Sequence, residues 1–160
     1  MTVSDNVNRF SQKLMSLTSF ITISFKIEGA HGGFSVVNGM AKISRAGIVM
    51  EFEAKIFGMM KTGIKEVRVA LKEIEDARLK KRFFKSTFEI WLNNFKTLSE
   101  IPNKDGRIIL QISKDDRPRV EEAIRILYSA KSESAALEIL QTPVSRLFDE
   151  TDDAPEKITD

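Results

Sequence analysis

The sequence predicts a mainly β protein with some α structure, in which about seven antiparallel strands form a barrel or sandwich closed by one C-terminal amphipathic helix. Three observations predict this class. Apolar and polar residues alternate in short segments between residues 21 and 112, as in half-buried strands. Glycine, proline and asparagine clusters separate these segments. After Ser113 the apolar residues change to helical spacing.

The first strand is predicted from Ile21, and its inward positions are Ile21, Ile23, Phe25 and Ile27. The glycine-rich segment GAHGG ends this strand. Two further strands follow around a turn at residues 45–47, and the inward positions of the second are Ile48, Met50, Phe52, Ala54 and Ile56. The segment FGMMKTG then connects to the next strand. Each strand therefore offers one apolar face to a common core.

Four more segments continue the predicted sheet. The inward positions of KEVRVAL are Val67, Val69 and Leu71, and those of IEDARLKKR are Ala77 and Leu79. A turn at residues 83–86 precedes a strand with Phe88, Ile90 and Leu92 inward and with Thr87, Glu89 and Trp91 outward. The turn PNKDG then leads into RIILQI. Strands that follow one another through short turns favour an antiparallel arrangement.

Helical spacing begins after Ser113. Asp115 and Asp116 supply capping side chains, Pro118 suits a first helical turn, and the apolar stripe consists of Val120, Ala123, Ile124, Leu127 and Tyr128. A second, weaker helical stretch is expected at residues 134–141, and another at residues 5–17 ahead of the first strand. The final segment, DETDDAPEKITD, holds six acidic residues against one lysine and is predicted to be a disordered, solvating tail.

Length and composition limit the classes of protein that the chain can represent. A chain of 160 residues with 42% hydrophobic residues predicts one core. The absence of cysteine excludes disulfides and thiolate zinc sites. The N-terminus lacks a signal-peptide layout and no apolar run approaches about 20 residues, which predicts a cytoplasmic location. The predicted organisation is an N-terminal helix and strand extension at 1–37, a domain at 38–131, a short helical extension at 132–148 and the acidic tail at 149–160.

Three segments of this chain, GMAKISRAGIVMEFEAK, GIKEVRVALKEIEDARLKKRFFKSTFEI and GRIILQISKDDRPRVEEAIRIL, carry a family resemblance. The chain resembles the bacterial pleckstrin-homology-like (PH-like) proteins over roughly residues 38–130, and the resemblance implies a scaffold or assembly module. Eukaryotic relatives that bind phosphoinositides carry several basic residues around their first hairpin, where this chain has only Lys42 and Arg45. They also place a tryptophan in the closing helix, where this chain has Tyr128, while Trp91 lies in a strand. The lipid-binding role is therefore not carried over.

A cluster of basic and large apolar residues is the candidate binding site. Five basic residues lie from Arg78 to Lys85 around two adjacent phenylalanines. Alternate connections of a meander lie at one end of the sheet, which predicts that residues 57–62 and 83–85 are neighbours. The resulting basic-aromatic cluster consists of Phe57, Met59, Met60, Lys61, Arg78, Lys80, Lys81, Arg82, Phe83, Phe84 and Lys85. If exposed, it offers a surface to a protein partner or an anionic membrane. In the alternative, its phenylalanines pack beneath the closing helix or the N-terminal segment.

The placement of charged and aromatic residues on the strands disfavours nucleic acid as a partner. Arg78, Lys80 and Arg82 share one strand face, where Glu89 on the neighbouring strand is expected to offset part of their charge. Proteins that bind nucleic acid usually present aromatic side chains on an exposed sheet face. Here the strand phenylalanines fall on core positions and only Trp91 points outward.

The residue patterns that carry catalysis or hold a cofactor are missing. The only histidine, His31, stands in GAHGG, and both G-x-S-x-G and the P-loop lysine are absent. Glu51 and Glu53 share a strand face without histidine partners, so a metal site is not expected. The sequence predicts a non-enzymatic interaction module without cofactor or metal, which binds a protein partner or assembles with itself. The alternative is peripheral association with an anionic membrane surface.

Overall fold

The computed structural model describes residues 19–30, 35–56, 60–61 and 63–141 of the 160-residue chain. Its strands are β1 (Ile21–Ala30), β2 (Ser35–Ser44), β3 (Gly47–Ile56), β4 (Met60–Lys61), β5 (Lys65–Ala70), β6 (Ile74–Lys80), β7 (Ser86–Leu92) and β8 (Arg107–Ile112). Its helices are α1 (Phe95–Glu100) and α2 (Arg117–Gln141), with a 3-10 turn at Leu71–Glu73 between β5 and β6. All strand pairs are antiparallel. The predicted mainly β fold with a C-terminal helix is confirmed.

The strands form one sheet in the order β4, β3, β2, β1, β8, β7 and β6, and β5 pairs with β3 next to β4. Long ladders join β1 to β2 and β2 to β3. The two halves of the sheet meet at β1 and β8 through one residue pair, Lys26 with Gln111. No ladder joins β5 to β6 among the described strands, so the sheet does not close on itself.

The alternation seen in the sequence determines the buried face of the sheet. The predicted inward residues that are buried are Ile23, Phe25, Ile27, Ile48, Met50, Phe52, Val67, Val69, Ala77, Phe88, Ile90 and Leu92. Ile21, Leu71 and Leu79 are partly buried against the same core. Glu89, which the alternation places on the outer face, is nevertheless only 4% exposed. Lys80 and Arg107 cover it because both bind its carboxylate.

Gly39 makes room for β1 in this core. It lies opposite Phe25 in the ladder, and a Cβ atom at Gly39 would be only 2.7 Å from the Phe25 ring. Glycine at this position therefore lets the ring pack directly over β2. Strand β1 itself lies at the centre of the sheet, between β2 and β8. The predicted boundary between residues 37 and 38 falls inside β2, so the core contains residues from both sides of it.

Several predicted features lie outside the described residues. These are the helix at 5–17, the segment with His31, the connection with Phe57 and Met59, and everything from residue 142 onward, including the acidic tail. The segment FGMMKTG contains the short strand β4 in addition to a connection. Within the strands, the predicted side chains that fall outside the description are Ala54, Ile56, Met60 and Lys61.

Helix α2 is longer than the sequence predicts. The carbonyl of Asp116 accepts a helical hydrogen bond from the Val120 N–H at 2.9 Å, and the helix runs unbroken to Gln141. The stretch predicted at residues 134–141 is the end of this helix and not a second one. Its buried residues are Val120, Ala123, Leu127 and Ala130. The helix contacts β1, β2 and β6, and so connects the two halves of the sheet.

Helix α1 is absent from the sequence-based prediction, which reads Asn93 and Asn94 only as an interruption. Asn94 is the N-cap, and its side-chain oxygen accepts a hydrogen bond from the Lys96 N–H at 3.0 Å. Lys65 of β5 donates from Nζ to the Glu100 carbonyl oxygen at 2.8 Å. The buried apolar residues here are Leu98 and Ile101. The helix thus covers the core beside β5 and β7.

Candidate functional site

The connection between β6 and β7, residues 81–85, exposes two adjacent phenylalanines. Phe83 is 79% exposed and Phe84 is 83% exposed. Their rings meet edge to face, with centroids 4.7 Å apart. The alternative in which these two side chains pack beneath the closing helix is therefore wrong, and its other form, in which the N-terminal segment covers them, involves residues 1–18, which lie outside the described residues. We refer to residues 81–85 as the hairpin tip, which presents an apolar pair of rings to solvent.

Arg117, the first residue of α2, holds the backbone of the hairpin tip. Its Nε donates to Ser86 Oγ at 2.6 Å, and its Nη2 donates to the Arg82 carbonyl oxygen at 2.7 Å. Ser86 is completely buried, so the first of these bonds is shielded from water. A hydrogen bond from a charged donor in such a place is stronger than one at the surface. The tip is therefore fixed to the helix while its two rings remain exposed.

Four of the five basic residues from Arg78 to Lys85 form ion pairs. The pairs are Arg78 with Asp76 (2.6 Å), Lys80 with Glu89 (2.9 Å), Lys81 with Glu121, and Lys85 with Glu28 (3.1 Å). The expected offset of charge by Glu89 is confirmed for Lys80. Lys114 adds a cation next to the tip, with Nζ 5.4 Å from the centroid of the Phe83 ring. Most of the positive charge around the tip is thus balanced locally.

Glu28 on β1 links the hairpin tip to the seam between the two halves of the sheet. Its carboxylate lies 2.8 Å from Lys26 Nζ, 3.1 Å from Lys85 Nζ and 3.1 Å from Gln111 Nε2. Hydrogen bonds from Lys26, Gln111 and Lys85 lower the pKa of Glu28 to about 2. The carboxylate is therefore ionised at neutral pH and connects β1, β8 and the tip.

Paired side chains cover the outer face of β6, β7 and β8. Arg78 lies over the Trp91 ring, 5.2 Å from its centroid. Glu89 lies between Lys80 Nζ at 2.9 Å and Arg107 Nη1 at 3.5 Å. Trp91 is only partly exposed, because the guanidinium of Arg78 occupies one side of its ring. This face therefore consists of charge pairs and a cation–π contact.

Helix α2 is attached to β6 at two further points. The Tyr128 hydroxyl donates a hydrogen bond to Asp76, and Lys131 Nζ donates to the carbonyl oxygens of Ile74 and Glu75 at 2.7 and 2.9 Å. The bond from Tyr128 lowers the pKa of Asp76, and the same bond raises the pKa of Tyr128. The helix thus provides hydrogen-bond donors for two carbonyl groups of β6, an edge strand that would otherwise be open to pairing with another strand.

Seven of the eleven side chains of the predicted basic-aromatic cluster, from Arg78 to Lys85, fall within the described residues. Met60 and Lys61 form β4, paired with Ile56 and Lys55 of β3. Their side chains lie outside the description, as do residues 57–59 entirely. The placement of the two connections at one end of the sheet therefore stays a prediction.

The side chains that hold the hairpin tip are not visible in the sequence. Arg117 is 31 positions from its partner Ser86, and Glu28 is 57 positions from Lys85. Patterns of local spacing carry no information about contacts at such separations. The one available signal is the density of charge in KDDRPRVEE at the start of α2. A helix cap requires fewer charged side chains than this segment has, so the additional ones indicate contacts with another element.

Two shallow cavities flank the single residue pair between β1 and β8. One has a volume of about 330 Å³ and is lined in part by Glu28, Asn103 and Lys104. The other has a volume of about 340 Å³ and is lined in part by Ser24, Lys85 and Asp116. No three His, Cys, Asp or Glu side chains are grouped to hold a metal ion within the part of the chain that the structure describes. The exposed tip is therefore the more distinctive binding feature.

Comparison with known proteins does not assign the chain to a family. No family model matches it, and no curated protein or solved structure shows significant similarity. Over the described ranges, none of the helices has the length and apolar character needed to cross a membrane.

Proposed function

We propose that the chain is a non-enzymatic interaction module of PH-like fold, which binds a protein partner or another copy of itself through the hairpin tip. The strand order supports the PH-like part of this proposal, because a meander followed by one C-terminal amphipathic helix is the order of elements that the family resemblance implies. The contacts of α2 with both halves of the sheet are also in keeping with a closing helix.

The exposure of Phe83 and Phe84 on an anchored backbone is the observation that carries the proposal. Burial of a phenylalanine side chain is worth about 1.5–3 kcal/mol, so covering both rings contributes about 3–6 kcal/mol to an interface. Aromatic anchors of this kind often dominate protein interfaces. Because Arg117 already fixes the tip, little ordering entropy opposes binding.

The charge pattern favours a protein over an anionic bilayer. Each basic residue near an anionic surface contributes about 1 kcal/mol when it is free to do so. Four of the five basic residues from Arg78 to Lys85 are already paired with carboxylates. The remaining attraction comes mainly from Arg82 and from Lys114 at the side of Phe83. A complementary partner therefore has an apolar pocket with a few acidic groups on its rim.

A photo-crosslinking amino acid at position 84 tests this proposal in cells. The partner captured at the tip is identified by mass spectrometry, purified, and titrated against the wild-type chain and the variants. We expect the double substitution Phe83→Ser and Phe84→Ser to weaken binding by at least about a hundredfold, which is roughly 3 kcal/mol. Phe95→Ser is the matched control, because Phe95 is 85% exposed at the start of α1. Equal affinities for the tip variant and the control would exclude the tip as the binding surface.

Peripheral membrane association is the second candidate, and the exposed rings beside Arg82 and Lys114 are the observation that favours it. Sedimentation with vesicles of mixed anionic and zwitterionic lipid separates the two candidates. The protein-binding proposal expects the chain to stay in the supernatant. Binding to the vesicles that falls with salt and with charge reversal at Arg82 and Lys114, the two cations that carry the remaining attraction, would instead establish the membrane function.

A further inference from the structure

The last part of α2 does not pack against the core. The first half of the helix buries Val120, Ala123, Leu127 and Ala130. Every residue from 132 to 141 is exposed. Three of these are large and apolar, with Leu137 57%, Ile139 69% and Leu140 81% exposed. The large apolar side chains of an amphipathic helix usually pack against another element. Here, among the described elements, they do not, so this end of α2 presents an apolar surface.

Leu137 lies roughly 20° around the helix axis from the buried Ala130, and Leu140 lies further from the buried face. Leu137 and Leu140 are three positions apart and therefore lie on one face of the helix. At about 100° per residue, Leu140 lies roughly 140° around the helix axis from the buried Leu127. The sheet that covers Leu127 therefore cannot also cover Leu140. A segment from elsewhere is needed to bury this face.

The chain enters the sheet next to this face. Ile21 pairs with Ile43 near the turn between β2 and β3. At that turn Arg45 pairs with Glu133 of α2, at the level where the exposed part of the helix begins. Residues 1–18 precede the described Ser19, and they lie outside the described residues. A segment of that length can reach the end of α2 from its attachment point.

The sequence of that segment complements the exposed face. Its apolar residues include Val7, Phe10, Leu14 and Leu17, which recur at helical spacing. The interval from Leu17 back to Phe10 equals the interval from Glu133 to Leu140, and each is about 10 Å in a helix. An antiparallel arrangement would place Leu14 by Leu137 and Phe10 by Leu140.

We propose that residues 5–17 dock as an amphipathic helix, antiparallel to α2, on the face formed by Leu137 and Leu140. The size of the face favours a segment of the same chain over a second copy. Stable interfaces between proteins bury about 1,200–2,000 Å², more than a ten-residue helix face can supply. A tethered segment has an effective concentration in the millimolar range, so a small face suffices. This proposal does not depend on the function of the hairpin tip.

Engineered disulfides test the docking in the full chain. The chain contains no cysteine, so the two introduced thiols are the only ones. We expect the pair Leu14→Cys and Leu137→Cys to form a disulfide within monomers, at a rate independent of protein concentration. The control pair is Leu14→Cys with Ala135→Cys, because Ala135 lies roughly 160° around the axis from Leu137. The control should oxidise at least about tenfold more slowly.

The other outcomes overturn the proposal. Equal oxidation rates for the two pairs would mean that the segment does not dock on this face. Disulfide-linked dimers whose yield rises with protein concentration would mean that a second copy covers the face. Thermal unfolding gives an independent check, since Phe10→Ser and Leu140→Ser should each lower Tm by about 2–4 °C. The Tm of the double variant should fall by no more than the Tm of either single variant. An unchanged Tm for Leu140→Ser would contradict the docking.

Discussion

Two hairpins of this molecule contact α2, and they differ in what they present to solvent. The turn between β2 and β3 is tight, and Arg45 within it pairs with Glu133 of the helix. The β6–β7 hairpin is also tied to the helix, through Arg117, but its longer connection displays Phe83 and Phe84. Both hairpins have most of their charge paired. The difference between them therefore lies in exposed apolar surface.

This difference indicates which hairpin is suited to recognition. The β2–β3 hairpin carries Lys42 in β2 and Arg45 in the turn, the two basic residues noted in the family resemblance, and Lys42 is paired with Glu51 at 3.1 Å. A phosphorylated lipid headgroup would have to displace that carboxylate and Glu133. The tip of the β6–β7 hairpin offers its rings without displacing any partner. The contrast supports our proposal that the second hairpin, and not the first, binds.

Substitution of Gly47 is expected to have the largest effect, because it tests the rigidity of the first hairpin. Gly47 has a φ of +134°, and a Cβ atom there would lie 2.1 Å from the Val69 carbonyl oxygen. Gly47→Ala should therefore destabilise the fold by more than about 3 kcal/mol in urea unfolding. Phe83→Ser and Phe84→Ser should each change stability by less than about 0.5 kcal/mol. A large loss from the phenylalanine variants would mean that the tip belongs to the core and is not a display surface.

Removal of the Arg117 side chain should have the next largest effect. Arg117→Ala leaves the buried Ser86 hydroxyl without its donor, which should cost about 1–3 kcal/mol of unfolding free energy. Faster hydrogen exchange at residues 81–86 would show that the tip has become loose. Arg119→Ala is the matched control, because Arg119 is exposed and, within the described part of the chain, its ion-pair partner is Asp116 at 3.5 Å. Similar losses for the two variants would contradict an anchoring role for Arg117.

Much of the fold was open to prediction because alternation and burial are linked in strands. Ile48, Met50 and Phe52 occupy the inward positions that their spacing predicts. Helix α1 could not be predicted in this way, because FKTLSE is too short to show a helical period. Its N-cap, Asn94, is equally typical of a turn. The continuity of α2 into the predicted stretch at residues 134–141 was also missed, since residues 129–133 carry no large apolar side chain.

The candidate site could be predicted only in its composition. Two adjacent phenylalanines among basic residues are visible in the sequence, but whether Phe83 is covered depends on where α2 begins relative to β6. That relation is fixed by Arg117 with Ser86 and by Lys81 with Glu121, which are contacts between distant parts of the chain. The pairing of the basic residues depends on tertiary structure in the same way.

Acid should weaken the contact between the second hairpin and β1. The folded-state pKa of Glu28 is lowered from 4.5 to about 2, so the carboxylate contributes stability above its unfolded pKa. That contribution is lost as pH falls from about 4.5 through about 2. In urea unfolding between pH 2 and pH 6, Glu28→Gln should lose stability less steeply on acidification than the wild-type chain. Identical slopes would show that the contacts with Lys26, Gln111 and Lys85 do not hold in solution.

The smallest effect is expected at the first hairpin. Lys42 and Glu51 are both partly exposed, so their pair is a solvent-screened ion pair. Lys42→Ala should therefore change the unfolding free energy by less than about 1 kcal/mol, and the change should shrink in high salt. The same variant should leave partner binding unchanged, as measured by the titration used for Phe83 and Phe84. A loss of binding would move the recognition surface to the first hairpin and reverse the comparison.

The single residue pair between β1 and β8 gives the molecule a mechanical weak line. Among the described residues, Lys26 and Gln111 are the only ladder partners between β1 and β8, whereas runs of paired residues join β1 to β2 and β7 to β8. Tension that draws the two halves of the sheet apart would load this pair and the Glu28 carboxylate first. Helix α2, which contacts both halves, then acts as a strap that keeps them from peeling apart.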